Sequence, residues 1–322
     1  MYAVFASRFS AADPLSGLVL GDRPEPSVPD GWTVVDVRAV SLNHHDLWSL
    51  RGVGLKTDKL PMILGCDAAG IDEDGDEVVI HAVVSHPDWL GDETLDPRRS
   101  LLSERYQGTM AERVAVPRRN LVAKPASLSF EEAACLPTAW LTAYRMLFTQ
   151  GRLKPGDRVL VQGAGGGVAS ALITLGRSAG LRVYATSRDE AKRARAEEIG
   201  AHLAVPTGER LPERVDAVME TVGAATWSHS VKSLRPGGTL VTSGATSGPD
   251  PENAELTRVF FLQLRVQGST MGTRDELREL VSLMEVTGAR PLIDTTMALS
   301  QARDGFAAMA EGKVFGKIVF TL

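Results

Sequence analysis

Residues 163–169 read Gly-Ala-Gly-Gly-Gly-Val-Ala, a run of small residues suited to one kind of chemistry. It follows the apolar run Arg158–Gln162 and precedes ALITLGRSAG, which has helical character. A strand that turns tightly and reopens as a helix lets the backbone approach a pyrophosphate, and the free N–H groups of the first helical turn face its charge. The spacing that fits is Gly163-x-x-Gly166-x-x-Ala169, because Val168 stands where a strict G-x-G-x-x-G needs its last glycine. Gly163, Ala164, Gly165, Gly166, Gly167 and Val168 are therefore candidate dinucleotide-binding residues.

The next strand, VYAT, selects the dinucleotide. NAD sites usually place Asp or Glu at its end to hold the ribose hydroxyls. Here it ends in Ser187-Arg188, with Lys192 one turn on. A capping box, Ser187-x-x-Glu190, explains Ser187, Asp189 and Glu190. It leaves Arg188 and Lys192 unexplained, since cations are disfavoured at the positive end of a helix dipole. A 2′-phosphate would satisfy both, at about 1.5–3 kcal/mol per charge-assisted bond. Ser187, Arg188 and Lys192 thus point to NADPH. Three further segments fall at carboxyl ends of expected strands, where ligands bind in such sheets. They supply Thr221 and Val222, then Gly244, Ala245 and Thr246, then Ser269, Thr270 and Met271.

These residues need a scaffold. The 322 residues suggest about two domains. With 43% hydrophobic and 23% charged residues, the composition is that of a soluble globular chain. The net charge is −5 and the basic residues are scattered, so a nucleic-acid surface is not expected. No apolar run is long enough to span a membrane, and the start lacks a signal-peptide pattern. The reading is of a cytoplasmic protein acting on a small molecule. To about Val122 the chain reads as short strands: GWTVVDVRAVSL alternates around Val35, Val37 and Ala39, and MAERVAVPRRNLVAKP suggests a strand pair ending at Pro125. LSFEEAACLPTAWLTAYRMLF reads as a helix with Pro137 as a break. Strands and helices then alternate, the pattern of a doubly wound parallel sheet. Leu277, Leu280, Val281 and Met284 mark a helix with one buried stripe. The tail holds a strand, a helix and a strand. The expected organisation is a catalytic domain over 1–125 completed by 290–322, and a dinucleotide-binding domain over 126–289.

In order along the chain, SLNHHDLWSLRG, LPMILGCDAAG, GTMAERVAVPRRNLVAKP, LSFEEAACLPTAWLTAYRML, VLVQGAGGGVA, LRPGGTLVTSGATSG and VFGKIVF resemble the medium-chain dehydrogenase/reductase superfamily. The likeness is strongest to its zinc-free quinone-oxidoreductase-like branch and covers nearly the whole chain. It implies an α/β fold, with a GroES-like β-barrel catalytic domain and a Rossmann domain. It also implies Asn43, His44 and Asp46 as substrate-side residues, and Thr138 and Thr142 beside the nicotinamide. In that role Asn43 polarises a carbonyl and His44 relays a proton.

Family members with catalytic zinc carry Cys, His and Cys where this chain has Asn43, Cys66 and Thr138. The four closely spaced cysteines of their second zinc lobe have no counterpart between Val83 and Gln107. His44 and His45, read as neighbours in an extended segment, point opposite ways and cannot share an ion. No metal is expected. Without a Lewis acid, alcohol oxidation is disfavoured; hydride addition to a quinone or an α,β-unsaturated carbonyl asks less, because the acceptor spreads its own charge. The expected partner is a second copy, paired through the last strand of the parallel sheet, near Arg265 to Ser269.

Overall fold

A computed structural model describes residues 1–322. The chain divides into two compact units. One comprises residues 1–141, 271–286 and 293–322; the other comprises 142–270 and 287–292.

The second unit is built on six parallel strands. Their spatial order is Leu203–Val205, Arg182–Thr186, Arg158–Val161, Val215–Glu220, Leu234–Thr242 and Arg265–Gly268. Numbered along the chain this is 3-2-1-4-5-6, the Rossmann arrangement, whose direction reverses beside the first strand. The central strands are apolar on both faces because helices cover both sides of a parallel sheet: Leu160, Tyr184, Val218 and Leu240 all lie in one core. The helix Gly167–Ser178 turns Ala171, Leu172 and Leu175 inward. Arg265–Gly268 is an edge strand.

The first unit carries a seven-stranded sheet and a three-stranded one. The long strand Trp32–Ser41 is its spine. It pairs antiparallel with Asp67–Asp72, Arg113–Pro117 and Lys317–Thr321. Its inward residues Val35, Val37 and Ala39 are buried, as the alternation requires. The tail strands Ile293–Ala298 and Lys317–Thr321 pair in parallel and complete this sheet. Arg113–Pro117 and Leu121–Ala123 both form, but each pairs with a different strand rather than with the other. The 3-10 turn Arg118–Asn120 between them redirects the chain.

Two local expectations change. The segment after Leu42 is not extended: His44–Leu50 is a helix, its first turn held by the Asn43 N–H donating to the Asp46 carboxylate at 2.9 Å. Pro137 stands just past a helix end, as expected, but the chain does not leave the helical path there. The proline lies in a π-helical turn, Leu136–Trp140, between the helices Phe130–Ala134 and Leu141–Tyr144, where the wider turn absorbs the missing N–H. The division between units falls inside this stretch, after Leu141, against an expected boundary at 125. The helix Arg274–Thr287 buries Leu277, Leu280, Val281 and Met284; residues 271–286 belong to the first unit.

Candidate functional site

The nucleotide side is set by small residues and one polar chain. Gly163 has φ +75°, and a Cβ there would meet Val222 at 2.7 Å. Its N–H donates to Thr186 Oγ1, which donates to Gln162 Oε1 at 2.6 Å. Gln162 Nε2 donates to Ser230 Oγ, and Ser230 donates to the buried carboxylate of Glu220. The other Glu220 oxygen accepts the N–H groups of Val222 and Gly223. This chain ties together the carboxyl ends of three adjacent strands, so the loops leaving them are shaped by buried, fully paired groups. Gly165 has φ +136°, and the stem of Lys192 passes 3.0 Å from where its Cβ would be. Gly166 is the N-cap of the helix Gly167–Ser178 and contributes no side-chain cap. The geometry suits a pyrophosphate: an added Cβ at Gly166 would meet nothing within 4 Å, and the helix begins there with free first-turn N–H groups.

Most of the other candidates of this unit follow the carboxyl ends of its parallel strands. Ser187 is not the helix cap. Asp189 caps Glu190–Glu198 by accepting the Lys192 N–H, and Ser187 Oγ accepts the Asp189 N–H. An aspartate two residues later offers the stronger acceptor and claims the N-terminus. Arg188 therefore precedes the helix, is exposed, and makes no ion pair. The Thr221 carbonyl accepts from Thr246, and that of Val222 from Ser247. Gly223 and Ala245 are in contact range, so no larger residue fits at 223. Gly244 backs onto Thr221. At the end of the edge strand, the Ser269 hydroxyl is buried without a partner, and Thr270 is exposed. Thr142 is buried in this unit.

Thr138 and Met271 belong to the first unit. Met271 packs with Cys66, Ala82 and Val83. Thr138 Oγ1 donates to Asp67 Oδ1. Asp67 is fully buried, and its second oxygen accepts from Ser41 Oγ and Asn43 Nδ2, each at 2.8 Å. Lys317, 2% exposed, donates to Asn43 Oδ1 at 2.6 Å and to the Leu42 carbonyl, with Asp67 Oδ2 at 3.6 Å. Asn43 thus spends its amide on Asp67 and Lys317 and has no strong donor left for a carbonyl. Asp46 is fully buried and bound by the N–H groups of Asn43 and Gly65; desolvation raises its pKa. It anchors the helix to the glycine turn. His44 stands on the outer side of the first turn; desolvation, then Lys317 and Arg51, hold its pKa below 6.5.

The sequence reading passed over His45. Its Nε2 lies 3.0 Å from Glu104 Oε1 and its Nδ1 3.4 Å from Cys66 Sγ. Burial opposes a charge on the ring, but Cys66, Glu104 and Asp46 together outweigh it and raise the pKa well above 6.5. Burial pushes the Cys66 thiol up against the opposing pull of His45, and pushes that of Cys135 up to about 12. Asp67 and Lys317 were also missed as site residues. The signal for them was a charge inside apolar runs, GCDAAG and VFGKIVF, which requires a buried partner.

The three positions that hold zinc in zinc-containing relatives do not fit it here. Asn43 and Thr138 are neutral and committed to Asp67, the Lys317 ammonium stands against Asn43, and Cys66 is one soft ligand alone. Comparison with known proteins places the chain. The family described as alcohol dehydrogenase GroES-like domain matches residues 29–126, and that described as zinc-binding dehydrogenase matches 167–286. An acryloyl-coenzyme A reductase of Sulfurisphaera tokodaii is 26% identical over 95% of this chain and 97% of that protein. A zinc-type alcohol dehydrogenase-like protein of Schizosaccharomyces pombe is 27% identical over 98% and 99%. Among solved structures, an NAD-dependent alcohol dehydrogenase superposes over the whole of both chains with TM-score 0.91 and 33% identity. With a GroES-like domain, a Rossmann sheet and a phosphate loop at its reversal point, this chain is an oxidoreductase of the medium-chain dehydrogenase/reductase superfamily that uses a nicotinamide cofactor.

Proposed function

We propose that this enzyme is an NADPH-dependent, zinc-independent reductase of activated acceptors, α,β-unsaturated carbonyl compounds or quinones. The observation that carries this reading is the state of the three metal positions, where Asn43 and Thr138 are bound into the Asp67–Lys317 network. An oxidoreductase without a Lewis acid needs an acceptor that delocalises its own developing charge. Similarity to an acryloyl-coenzyme A reductase supports the same acceptor class.

In this reading residues 163–168 and the helix behind them hold the pyrophosphate, and Arg188 meets the 2′-phosphate beside Ser187. Thr221, Val222, Gly244, Ala245, Thr246, Ser269 and Thr270 line the strand ends toward the nicotinamide, with Thr142 of the same unit. The reduced nicotinamide supplies hydride. The chain's own residues orient the acceptor and supply hydrogen bonds and a proton.

The deciding measurement is cofactor oxidation over a panel of enoyl thioesters, enones and quinones, with metal content determined on the same untagged sample. Turnover of at least one acceptor class at far less than one zinc per chain is expected. Alcohol oxidation that tracks stoichiometric zinc would overturn the reading. Cofactor choice has its own test. Arg188→Ala should weaken NADPH binding by at least about tenfold, or 1.4 kcal/mol, with NADH nearly unchanged. Lys192→Ala, altering the group over Gly165, should weaken both. Equal affinity of the parent enzyme for the two cofactors would remove the role given to Arg188.

The proposal includes a homodimer through the edge strand Arg265–Gly268. Val266 is 48% exposed there, and Phe260 and Phe261 on the preceding helix are 64% and 73% exposed. An edge strand carries unpaired backbone groups, and those of Arg265–Gly268 invite a symmetric partner strand. Sedimentation should give twice the 34.5 kDa chain mass; a monomer at micromolar concentration would refute it.

A further inference from the structure

His229, on the helix Trp227–Ser233, joins the polar chain beneath the phosphate loop by a second branch. Its Nε2 lies 2.8 Å from the Glu209 carbonyl oxygen, and its Nδ1 lies 2.8 Å from Gln162 Nε2. A carbonyl only accepts, so the ring hydrogen sits on Nε2 and Nδ1 is left as an acceptor. Gln162, fully buried, gives one amide hydrogen to that nitrogen and the other to Ser230 Oγ at 2.9 Å. Its oxygen is thereby turned to Thr186 Oγ1, which donates to it and accepts the Gly163 N–H at 3.2 Å. Every hydrogen on the path from His229 to Gly163 has one direction. All of these residues belong to the second unit.

The path responds to one proton, and the half-buried ring can take it from water. Protonation puts a hydrogen on Nδ1, where it meets the Gln162 amide hydrogens, donor against donor. If Gln162 turns its oxygen to the ring instead, its NH2 faces Thr186 Oγ1, and the buried Thr186 hydroxyl loses its acceptor. Either arrangement leaves a buried polar group unsatisfied. Thr186 is what the first turn of the loop rests on: it accepts the Gly163 N–H on its hydroxyl and the Ala164 N–H on its carbonyl at 2.7 Å. The charged groups on the surrounding elements are otherwise engaged. Glu220 accepts from Ser230 and Thr226, Asp216 pairs with Arg235, and Lys232 and Arg258 stand by Glu255. Glu209 and Arg210 are exposed on the loop whose carbonyl the ring binds.

We propose that His229 is a positioning residue for cofactor binding: through Gln162 and Thr186 its neutral ring holds the Gly163–Ala164 turn in the form that receives the pyrophosphate. This role rests on the reading above that residues 163–168 hold that group. His229 touches no part of the cofactor and acts only through the turn. Protonation of the ring loosens the turn and weakens binding, and by linkage cofactor binding expels the proton. Histidine changes charge between pH 5 and 8, so affinity falls as the pH drops through that range.

The test titrates the whole protein with NADP+ at about pH 8 and about pH 5.5, near the two ends of the histidine range. His229→Asn keeps an acceptor where Nδ1 stands but cannot take a proton. It should bind close to the parent at the higher pH, and the loss of affinity on acidification should be at least about fivefold larger in the parent than in this variant. The 2′-phosphate of the ligand titrates alike in both, so the difference reads the ring. His229→Leu, which removes the acceptor, should bind weakly at the higher pH, and His229→Asn should rescue it. Identical pH profiles for the parent and His229→Asn would overturn the assignment, and they decide it even if His229→Leu does not fold. Gly166→Val separates the reading beneath. If it loses NADP+ while those profiles coincide, the role of His229 alone fails. If it binds NADP+ as the parent does, the pyrophosphate reading fails and this assignment with it.

Discussion

Lys317→Met will destabilise the first unit by about 3–5 kcal/mol, the range for removing one partner of a buried ion pair. Its ammonium, 2% exposed, is bound by Asn43 Oδ1 and the Leu42 carbonyl, with Asp67 Oδ2 at 3.6 Å. With it gone, Asp67 stays fully buried. It keeps its hydrogen bonds from Ser41, Asn43 and Thr138 but loses its counter-charge. A methionine fills the volume of the lysine stem, so the loss reads electrostatics rather than a cavity. Urea unfolding of parent and variant, followed by circular dichroism, measures it. The companion double variant Lys317→Met, Asp67→Asn should lose less than the sum of the two single losses, since each single change strands the other charge. A loss below about 1 kcal/mol for Lys317→Met would mean that water reaches the pair and the network carries little.

Gly166→Val has the second large effect, and it falls on binding alone. A Cβ at Gly166 meets nothing within 4 Å, and its φ of −78° is open to any residue. Stability should therefore change by no more than about 0.5 kcal/mol, as for a surface substitution. The added methyl groups occupy the approach of the pyrophosphate to the first helical turn, which needs a bare backbone. Cofactor affinity should fall at least about a hundredfold, or 2.7 kcal/mol, for NADPH and NADH alike. Titration calorimetry beside a thermal melt separates the two quantities. Unchanged affinity would mean that the phosphates do not lie over this turn. Gly163→Ala offers the contrast: with φ +75° and Val222 at 2.7 Å from the new Cβ, it should destabilise the fold as well.

The nucleotide side was legible because its requirements are local. A turn with positive φ at residues 163 and 165 and a helix starting at 167 demand small residues in consecutive positions, and consecutive positions are what a sequence displays. The burial of Leu277, Leu280 and Met284 follows from helical period in the same way. The polar cluster of the first unit was much less legible. His45 and Glu104 lie 59 residues apart, Thr138 and Asp67 71 apart, and Lys317 and Asn43 274 apart. No periodicity links such pairs. The adjacent histidines show the consequence. Read as an extended pair they offered no reason to prefer His45, but once the Asp46 cap winds them into a helix, one faces outward and the other turns to Glu104 and Cys66.

By itself the sequence determined the architecture: a strand-rich unit closed by the C-terminal strands, a parallel doubly wound unit, and a glycine turn fit for a dinucleotide phosphate. These follow from side-chain size and apolar period, which act over a few neighbouring residues. Only the tertiary structure decided which polar side chains are available for chemistry. It closed Asn43, Asp46 and Thr138 into buried hydrogen bonds and left His45 with one strong partner and one weak one. The reason is physical: a polar group's availability depends on what desolvates and pairs it, and those partners come from distant strands and loops that only folding brings together.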